Sequence, residues 1–423
     1  MTSLTEELCA AVRGSPRLWQ DFEALCALGG RFAGTDSEKL AVAFLKERLA
    51  ADFGRPPDVF AVAYDDWKRR TQSLERLTPD RCALECHALV WSPRTPSGGL
   101  EADVVDLGRG TPEEIHANAD VVRGRIVLVR HEYMFSADTV HRRAKYDAAR
   151  EAGAVGFLIA NRLPGNALVT GSSGRNRPDD IPAAGITFEG AAQLHAMDGG
   201  FPRVRLTIDV DTGTATAESL ILDLPGRTED VVVLSAHIDG HPLGESALDN
   251  ATGLAVTLAA ARALAPHIGG MRRGIRICLF NLEEWALAGS ARYVDQLSQP
   301  DRDRIAVNVN LDSVAGHDRL TALTSGFPKV ERFLREVGAP AGAGLDFYRP
   351  LMRNSDHYNF ARHGVPAFRL VAGFDAPDSA LRHVLTPEDT RDKADPLELE
   401  RATLLTVAVL QAACTAPAIR LRD

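Results

Sequence analysis

The chain has 423 residues, of which 45% are hydrophobic and 25% are charged, a composition typical of folded globular proteins. This length exceeds one ordinary domain and predicts two domains, or one large domain that carries an insert. The net charge of −9 argues against a nucleic-acid partner, because binding to phosphates requires a basic surface.

The sequence predicts neither a secretory signal nor a membrane partner. The N-terminus reads Met-Thr-Ser-Leu-Thr-Glu-Glu-Leu and lacks a basic region followed by an apolar one. No apolar run approaches the ~20 residues needed to cross a bilayer. The six cysteines are scattered, which favours reduced thiols over a disulfide framework. We therefore expect a cytoplasmic protein, with a homo-oligomer left open.

The first part of the chain predicts helices and then a β-rich module. Helical spacing of apolar residues within 1–50 follows N-cap candidates at Thr35 to Glu38. An alternating pattern at 59–64 predicts a strand, and a Pro/Gly/Ser-rich stretch at 93–100 predicts a linker. A compact β-rich module is expected over 95–215. Its predicted strands lie at 104–107, 124–130 and 153–159.

From residue 216 onward, predicted strands alternate with helices. This alternation predicts an open, mostly parallel α/β sheet with helices on both faces. The larger predicted domain is therefore discontinuous and comprises residues 1–94 and 216–423. Its predicted strands span 231–236, 275–281, 305–311 and 365–371, and its predicted helices span 254–264 and 398–412.

Imidazole and carboxylate side chains follow three successive predicted strands. His237 follows the first strand, Glu283 and Glu284 follow the second, and Asp312 follows the third. Ligands of open α/β sheets bind outside the carboxyl ends of the strands, so these side chains are expected at one edge. Asp249 begins the helix after the first strand and is expected at the same edge.

Each of these residues has an ordinary structural explanation when it is taken alone. Asp249 can be a helix N-cap, Asp312 a turn residue, and Glu283 with Glu284 solvated charges. Together they place one histidine and four carboxylates at one edge, which is costly unless a cation neutralises the charge. Imidazole mixed with carboxylate suits Zn²⁺, with Mn²⁺ or Co²⁺ as possible substitutes.

The motifs around these residues resemble those of a known enzyme family. They are Ala236-His237-Ile238-Asp239, Asp249-Asn250-Ala251-Thr252-Gly253, Asn281-Leu282-Glu283-Glu284, Asn310-Leu311-Asp312, Ser355-Asp356-His357-Tyr358-Asn359-Phe360, and His383 with Asp389-Thr390 behind it. Their order and spacing are similar to those of the M28 zinc aminopeptidases, a family that includes the glutamate carboxypeptidases. The resemblance extends weakly to Gly30-Arg31-Phe32-Ala33-Gly34-Thr35.

The resemblance implies a phosphorylase/hydrolase-like zinc-peptidase fold with two Zn²⁺ ions. It implies that Asp249 bridges the ions, that His237 and Asp312 complete one site, and that Glu284 and His383 complete the other. It further implies that a metal-bound hydroxide attacks the amide with Glu283 as general base. Asp239 is expected to accept a hydrogen bond from His237 and to fix its tautomer.

The middle of the chain resembles a protease-associated (PA) domain, which is often inserted into M28 enzymes. The resemblance rests on residues 124–129, 145–151, 152–157 and 181–186. It implies a module that caps one side of the active-site cleft. A purely structural β-domain is the alternative.

Three residues are candidates for substrate binding. Arg382 stands where some family aminopeptidases have a Tyr before the last metal histidine. It can stabilise an oxyanion, bind a substrate carboxylate, or be a surface charge. Arg353 precedes Ser355-Asp356-His357, in a region that contacts substrate in relatives, and His357 is expected to shape the pocket.

The leading hypothesis is a dinuclear zinc aminopeptidase that hydrolyses the N-terminal amide bond of peptides or small amino-acid conjugates. The main alternative is a carboxypeptidase or dipeptidase-type amidohydrolase of the same fold, acting on a substrate with a free carboxylate. Two further alternatives are a scaffold protein that has lost its chemistry and a single-zinc cyclising acyltransferase of the glutaminyl-cyclase kind.

Overall fold

The chain divides into two compact units. The larger unit comprises residues 1–63, 216–384 and 389–423, and the smaller unit comprises residues 64–215 and 385–388. The computed structural model describes residues 4–13, 15–174, 176–195, 200–338, 344–416 and 421.

The helices and strands are numbered separately in chain order. The helices are α1 (Leu4–Arg13), α2 (Arg17–Ala27), α3 (Asp36–Phe53), α4 (Pro112–Ala117), α5 (Ala119–Val122), α6 (Arg142–Glu151), α7 (Phe188–Ala192), α8 (Thr252–Ile268), α9 (Ala288–Gln296), α10 (Gln299–Asp303), α11 (Pro328–Gly338), α12 (His357–Ala361) and α13 (Pro396–Thr415). The strands are β1 (Asp58–Arg76), β2 (Cys82–Leu84), β3 (Cys86–Ala88), β4 (Leu100–Asp106), β5 (Ile126–Arg130), β6 (Gly156–Ala160), β7 (Ala183–Ile186), β8 (Arg203–Leu224), β9 (Val231–His237), β10 (Gly274–Phe280), β11 (Ile305–Leu311), β12 (Leu320–Leu323), β13 (Leu345–Tyr348) and β14 (Ala367–Ala372).

A mixed sheet forms the centre of the larger unit. Its strand order is β13-β12-β14-β11-β9-β10, and the C-terminal part of β8 completes the far edge. The central strands β14, β11, β9 and β10 are parallel. Strand β12 pairs antiparallel with β14 and parallel with β13, and β8 pairs antiparallel with β10. The predicted mostly parallel α/β sheet is therefore confirmed. Its central strands are buried along nearly their whole length, as expected for strands covered on both faces.

Side chains alternate along β9 and pack against different helices on the two faces of the sheet. Val233 lies in a buried cluster with Phe280, Tyr293 and Phe360, which brings α9 and α12 onto one face. Helices α8 and α13 pack against each other and against β9. The stretch Ala247–Ile268 is long and apolar enough to cross a membrane. However, 67% of its most apolar 18-residue window is buried inside the protein, as in a core helix.

Helix α3 begins where the sequence predicts it. Thr35 has an extended backbone, and its Oγ1 accepts a hydrogen bond from the Glu38 amide at 3.3 Å. The helix ends at Gly54, whose φ of 71° is a left-handed conformation that glycine adopts without steric cost.

The smaller unit has its own sheet. The N-terminal part of β8 pairs antiparallel with β4, the parallel strands β4, β5, β6 and β7 follow in order, and β3 pairs antiparallel with β7. This unit begins at residue 64, before the predicted boundary at 95. The reason is that β1 continues from the predicted strand at 59–64 as far as Arg76 and pairs with β2 and β8.

Replacing Phe360 by alanine tests the packing of the larger unit. Phe360 is fully buried, and its ring centroid lies 6.1 Å from that of Phe280 and 6.5 Å from that of Tyr293. We expect Phe360→Ala to lower the free energy of unfolding by about 3–5 kcal/mol, because it leaves a cavity. The matched control is Leu40→Ala on α3, a side chain that is 56% exposed, with an expected change within about 0.5 kcal/mol. Urea unfolding measures the stability of both variants. Equal shifts of their unfolding midpoints would contradict this account of the core.

Candidate active site

The parallel strands deliver the predicted residues to one edge of the sheet. His237 is the last residue of β9 and is paired in register with Phe280, the last residue of β10. Glu283 and Glu284 follow β10 by three and four residues, and Asp312 directly follows β11. The sequence-based placement of these four residues at the carboxyl ends of three strands is therefore observed in the structure.

His237 lies between two aspartates. Its Nε2 is 3.0 Å from Asp249 Oδ1 and 3.6 Å from Asp312 Oδ1. Glu283 completes the group, since one potential ligand atom each from His237, Glu283 and Asp312 lie within 4.8 Å of one another. One imidazole and three carboxylates thus converge on a space the size of a metal site.

Asp239 orients both the histidine and the glutamate pair. His237 Nδ1 lies 2.8 Å from the backbone oxygen of Asp239, which leaves Nε2 directed toward Asp249 and Asp312. The carboxylate of Asp239 accepts hydrogen bonds from the amides of Glu283 and Glu284, at 3.0 and 3.1 Å. The predicted acceptor for His237 is therefore Asp239, but through its backbone carbonyl, because its carboxylate is used by the glutamate loop.

The glutamate loop has an unusual backbone. Leu282, Ala286 and Leu287 all have positive φ, at 65°, 62° and 66°. Non-glycine residues adopt this left-handed region at an energetic cost, and such residues cluster at functional sites. Here the turns orient the backbone amides of Glu283 and Glu284 so that both donate to the Asp239 carboxylate.

Asn250 holds Asp249 beside Asp312. Its Nδ2 donates to the carbonyl of Leu311 at 2.8 Å, and its Oδ1 accepts from the amides of Gly253 and Ser313 at 2.9 and 3.2 Å. A Cβ at Gly253 would lie 2.3 Å from Asn250 Oδ1, so only glycine allows this approach. The motif Asp249-Asn250-Ala251-Thr252-Gly253 therefore has a structural basis.

Arg31 anchors the loop between His237 and Asp249, and sequence reasoning gave it no role. Its buried guanidinium donates to the carbonyls of Ile238, Glu245 and Ser246, at 3.0, 2.8 and 2.7 Å. Asp389 holds the same loop from another direction, because its Oδ1 accepts from the Leu248 amide at 2.7 Å. The signal in the sequence was the segment Gly30-Arg31-Phe32. Its arginine lies far along the chain from the strand motifs that contribute to the same site.

Arg369 is a second buried cation that the sequence analysis missed. It lies on β14, in register with Asn310 of β11, and its Nη2 is 3.1 Å from Asp312 Oδ1. Its Nη1 donates to the carbonyl of Asn354 at 2.7 Å. The available signal was a charged residue within an apolar strand, Phe368-Arg369-Leu370.

Burial and like charge dominate the electrostatics of the carboxylates. Burial, together with the charge of Glu284, raises the pKa of Glu283 well above its usual range. Burial and the neighbouring charge of Asp249 raise the pKa of Glu284 to about 7. Burial opposes ionisation of Asp312 too, but Arg369 and His237 hold the pKa of that carboxyl below its usual range.

This arrangement fits a divalent metal ion. A carboxylate whose pKa is raised by burial and by like charges is one that a cation would stabilise. Within the described ranges, Glu284 Oε1 is buried without a hydrogen-bond partner, as expected for an atom available to a ligand. The donor set of imidazole and carboxylate is that of zinc sites.

The other predicted residues lie around this group in different environments. His383 is half-buried at the end of a 3₁₀ turn, with Arg382 Nε 3.3 Å from its Nε2. Its place in the metal set rests on the resemblance. Arg382 is exposed, and its Nη1 donates to the carbonyl of Asp378 at 3.3 Å. Arg353 is exposed, with its guanidinium 5.6 Å from the centre of the Tyr358 ring.

His357 does not present its side chain to solvent. It is fully buried, and burial together with Arg369 lowers its pKa to about 3. His237 at the centre of the site is also buried, so the role of His357 in shaping the substrate pocket stays a prediction.

Comparisons with known proteins agree with this geometry. Residues 219–410 match the model of peptidase family M28, and residues 98–194 match that of the PA domain. Residues 219–410 therefore form a domain of peptidase family M28. The predicted family, its inserted PA domain and an enzyme of the peptidase class are thereby confirmed.

Three similar proteins illustrate the range of this family. The aminopeptidase YwaD of Bacillus subtilis is 26% identical over 397 residues, which cover 91% of this chain and 82% of that protein. Carboxypeptidase Q of Xenopus laevis is 25% identical over 280 residues, which cover 63% of this chain and 59% of that protein. The crystal structure of BSAP, a zinc aminopeptidase from Bacillus subtilis, has 25% identity and a TM-score of 0.74, covering 95% of this chain and 96% of that one.

Zinc retention tests the role of Asp249. We expect Asp249→Asn to retain less zinc than the wild type after dialysis against buffered zinc, because the amide removes a charge beside His237. Elemental analysis measures the zinc content. Asp318→Asn, at a carboxylate whose side chain is 75% exposed, is the matched control and should retain wild-type zinc. Undiminished zinc in Asp249→Asn would exclude Asp249 as a ligand.

Proposed function

We propose that the chain is a dinuclear zinc aminopeptidase that hydrolyses the N-terminal amide bond of peptides or small amino-acid conjugates. The observation that carries this proposal is the convergence of Asp249, Asp312 and Glu283 on His237. The similarity to YwaD over most of both chains supports the aminopeptidase assignment.

Two metal positions are proposed from the same residues. His237, Asp249 and Asp312 would hold one zinc ion, and Asp249, Glu284 and His383 would hold the other. The first set is supported by distances of 3.0 and 3.6 Å from His237 Nε2. The second is supported by Glu284 Oε1, which has no hydrogen-bond partner within the described ranges, and by the effect of the Asp249 charge on the pKa of Glu284. When bound, zinc supplies a Lewis acid that polarises the scissile carbonyl and acidifies water.

Glu283 is proposed as the general base. It takes a proton from the attacking water, whose oxygen bonds to the carbonyl carbon, and returns a proton to the amine as the C–N bond breaks. Burial raises the pKa of Glu283 above that of a free carboxyl, which makes it a stronger base. Asp239 fixes the direction of Glu283 through the backbone amide, at 3.0 Å.

The adjacent glutamates can therefore take different roles. Both amides donate to the same carboxylate of Asp239, yet the two side chains have different neighbours. Glu283 belongs to the group with His237 and Asp312, whereas the strongest charged neighbour of Glu284 is Asp249. One residue can hold metal while the other faces the reacting water.

A carboxypeptidase-type activity is the second candidate. It is favoured by the similarity to carboxypeptidase Q and by arginines beside the site that could hold a substrate carboxylate. A panel of aminoacyl-p-nitroanilides, assayed against N-acylated amino acids with free carboxylates, separates the two. Cleavage confined to the N-acylated substrates would replace the aminopeptidase proposal.

Replacing Glu283 by glutamine tests the mechanism. We expect Glu283→Gln to lower kcat by about 10²–10⁴-fold, the usual contribution of general acid–base catalysis, while the zinc content stays at the wild-type level. Steady-state hydrolysis of the best nitroanilide and elemental analysis measure the two quantities.

The control for this substitution is Glu229→Gln, at a side chain that is 80% exposed. It removes a carboxylate of the same type and should leave kcat unchanged. Full activity in Glu283→Gln would end the assignment of Glu283 as the base.

A further inference from the structure

A cavity beside the glutamate loop is lined by arginines. Its volume is about 380 Å³, and its wall includes Ala286, Arg292, Asp295, Arg353, Tyr358 and Arg362, which we call the arginine pocket. This volume lies within the range of small-ligand sites. The concentration of positive charge is notable in a chain whose net charge is −9.

The charges in the arginine pocket do not cancel. Arg362 Nη2 donates to Asp295 Oδ1 at 2.6 Å, and His363 Nε2 lies 2.8 Å from the same oxygen. Asp295 of α9 is therefore paired with two residues that follow α12. In the part of the chain that the structure describes, Arg292 and Arg353 have no carboxylate partner, so two guanidinium groups remain available for an anion.

The walls of the pocket are fixed to each other. Asn359 Nδ2 donates to the carbonyl of Leu287 at 3.2 Å and to Ser290 Oγ at 2.8 Å. This joins the segment of Arg353 and Tyr358 to the start of α9, which carries Arg292. The Tyr358 ring, 5.6 Å from the Arg353 guanidinium, supports that side chain in place.

The pocket adjoins the catalytic residues through the same two segments. Ala286 follows Glu284 by two residues in the glutamate loop. Tyr358 follows Asp356 by two residues, and the fully buried Asp356 interacts electrostatically with His237. The pocket is therefore lined by the chain segments that closely follow Glu284 and Asp356.

We propose that the arginine pocket binds the free C-terminal carboxylate of a short peptide whose N-terminal bond is cut at Glu283. Guanidinium groups bind carboxylates through charge-assisted, often bidentate hydrogen bonds. Because the walls are fixed, the pocket selects peptides of limited length. This inference rests on the proposed aminopeptidase function and specifies its substrate class as short peptides with an unblocked C-terminus.

The test compares two substrates that differ only at the C-terminus. The best N-terminal residue from the nitroanilide panel is placed before Ala-Ala, and kcat/KM is measured for the free acid and for the C-terminal amide. We expect the wild type to favour the acid by about tenfold or more, because charged hydrogen bonds to two guanidinium groups are lost with the amide.

The double variant Arg292→Ala/Arg353→Ala should bring the acid-to-amide ratio close to one. The ratio is the readout, so a general loss of activity or folding affects both substrates equally. Arg332→Ala on α11, another exposed arginine of the larger unit, is the charge-matched control and should keep the wild-type ratio. An unchanged ratio in the double variant, or no preference in the wild type, overturns the proposal.

A binding measurement separates this inference from the proposed function. Calorimetry of the acid and the amide with Glu283→Gln reports the same preference without turnover. If the wild type cleaves the nitroanilides but Glu283→Gln binds both peptides equally, the arginine pocket is not a carboxylate site and the aminopeptidase proposal stands. If no nitroanilide is cleaved but Glu283→Gln still binds the acid more tightly, the pocket stands and the function is revised.

Discussion

Repulsion among carboxylates is the constraint on which the rest of the larger unit depends. Asp249, Glu283, Glu284 and Asp312 meet around His237, where burial penalises charge and each carboxylate penalises its neighbours. Arg369 compensates only one of them, Asp312. A cation would offset the remaining charge, which is why the metal ions and the chemistry are proposed at this edge of the sheet.

The scaffold keeps these groups together by hydrogen bonds to the backbone rather than by packing alone. Asp239 aligns His237 and the glutamate loop, Asn250 joins Asp249 to the end of β11, and Arg31 fastens the loop between His237 and Asp249. A buried polar group that loses its hydrogen-bond partner destabilises the fold. Each of these three side chains therefore favours the one loop conformation in which its hydrogen bonds form. Rigid strands and anchored loops thus present a preorganised site.

Much of this arrangement could be predicted from the sequence because its signals are local. Apolar runs ending in His237 and Asp312 predict both the strands and the edge where they end. The roles of Arg31 and Arg369 could not be predicted, since their partners lie far away in sequence and the local signals around the two arginines do not name those partners. The start of the smaller unit was missed because β1 loses its alternating apolar pattern beyond residue 67 although its backbone pairing continues. The cytoplasmic location and the oligomeric state stay predictions.

Anomalous diffraction at the zinc absorption edge, from crystals of the zinc-loaded protein, tests the central claim most directly. The account predicts one anomalous peak among His237, Asp249 and Asp312, and a second beside Asp249 within reach of Glu284 and His383. A fully active protein whose crystals show no peak at these carboxylates, or peaks only elsewhere, would contradict it.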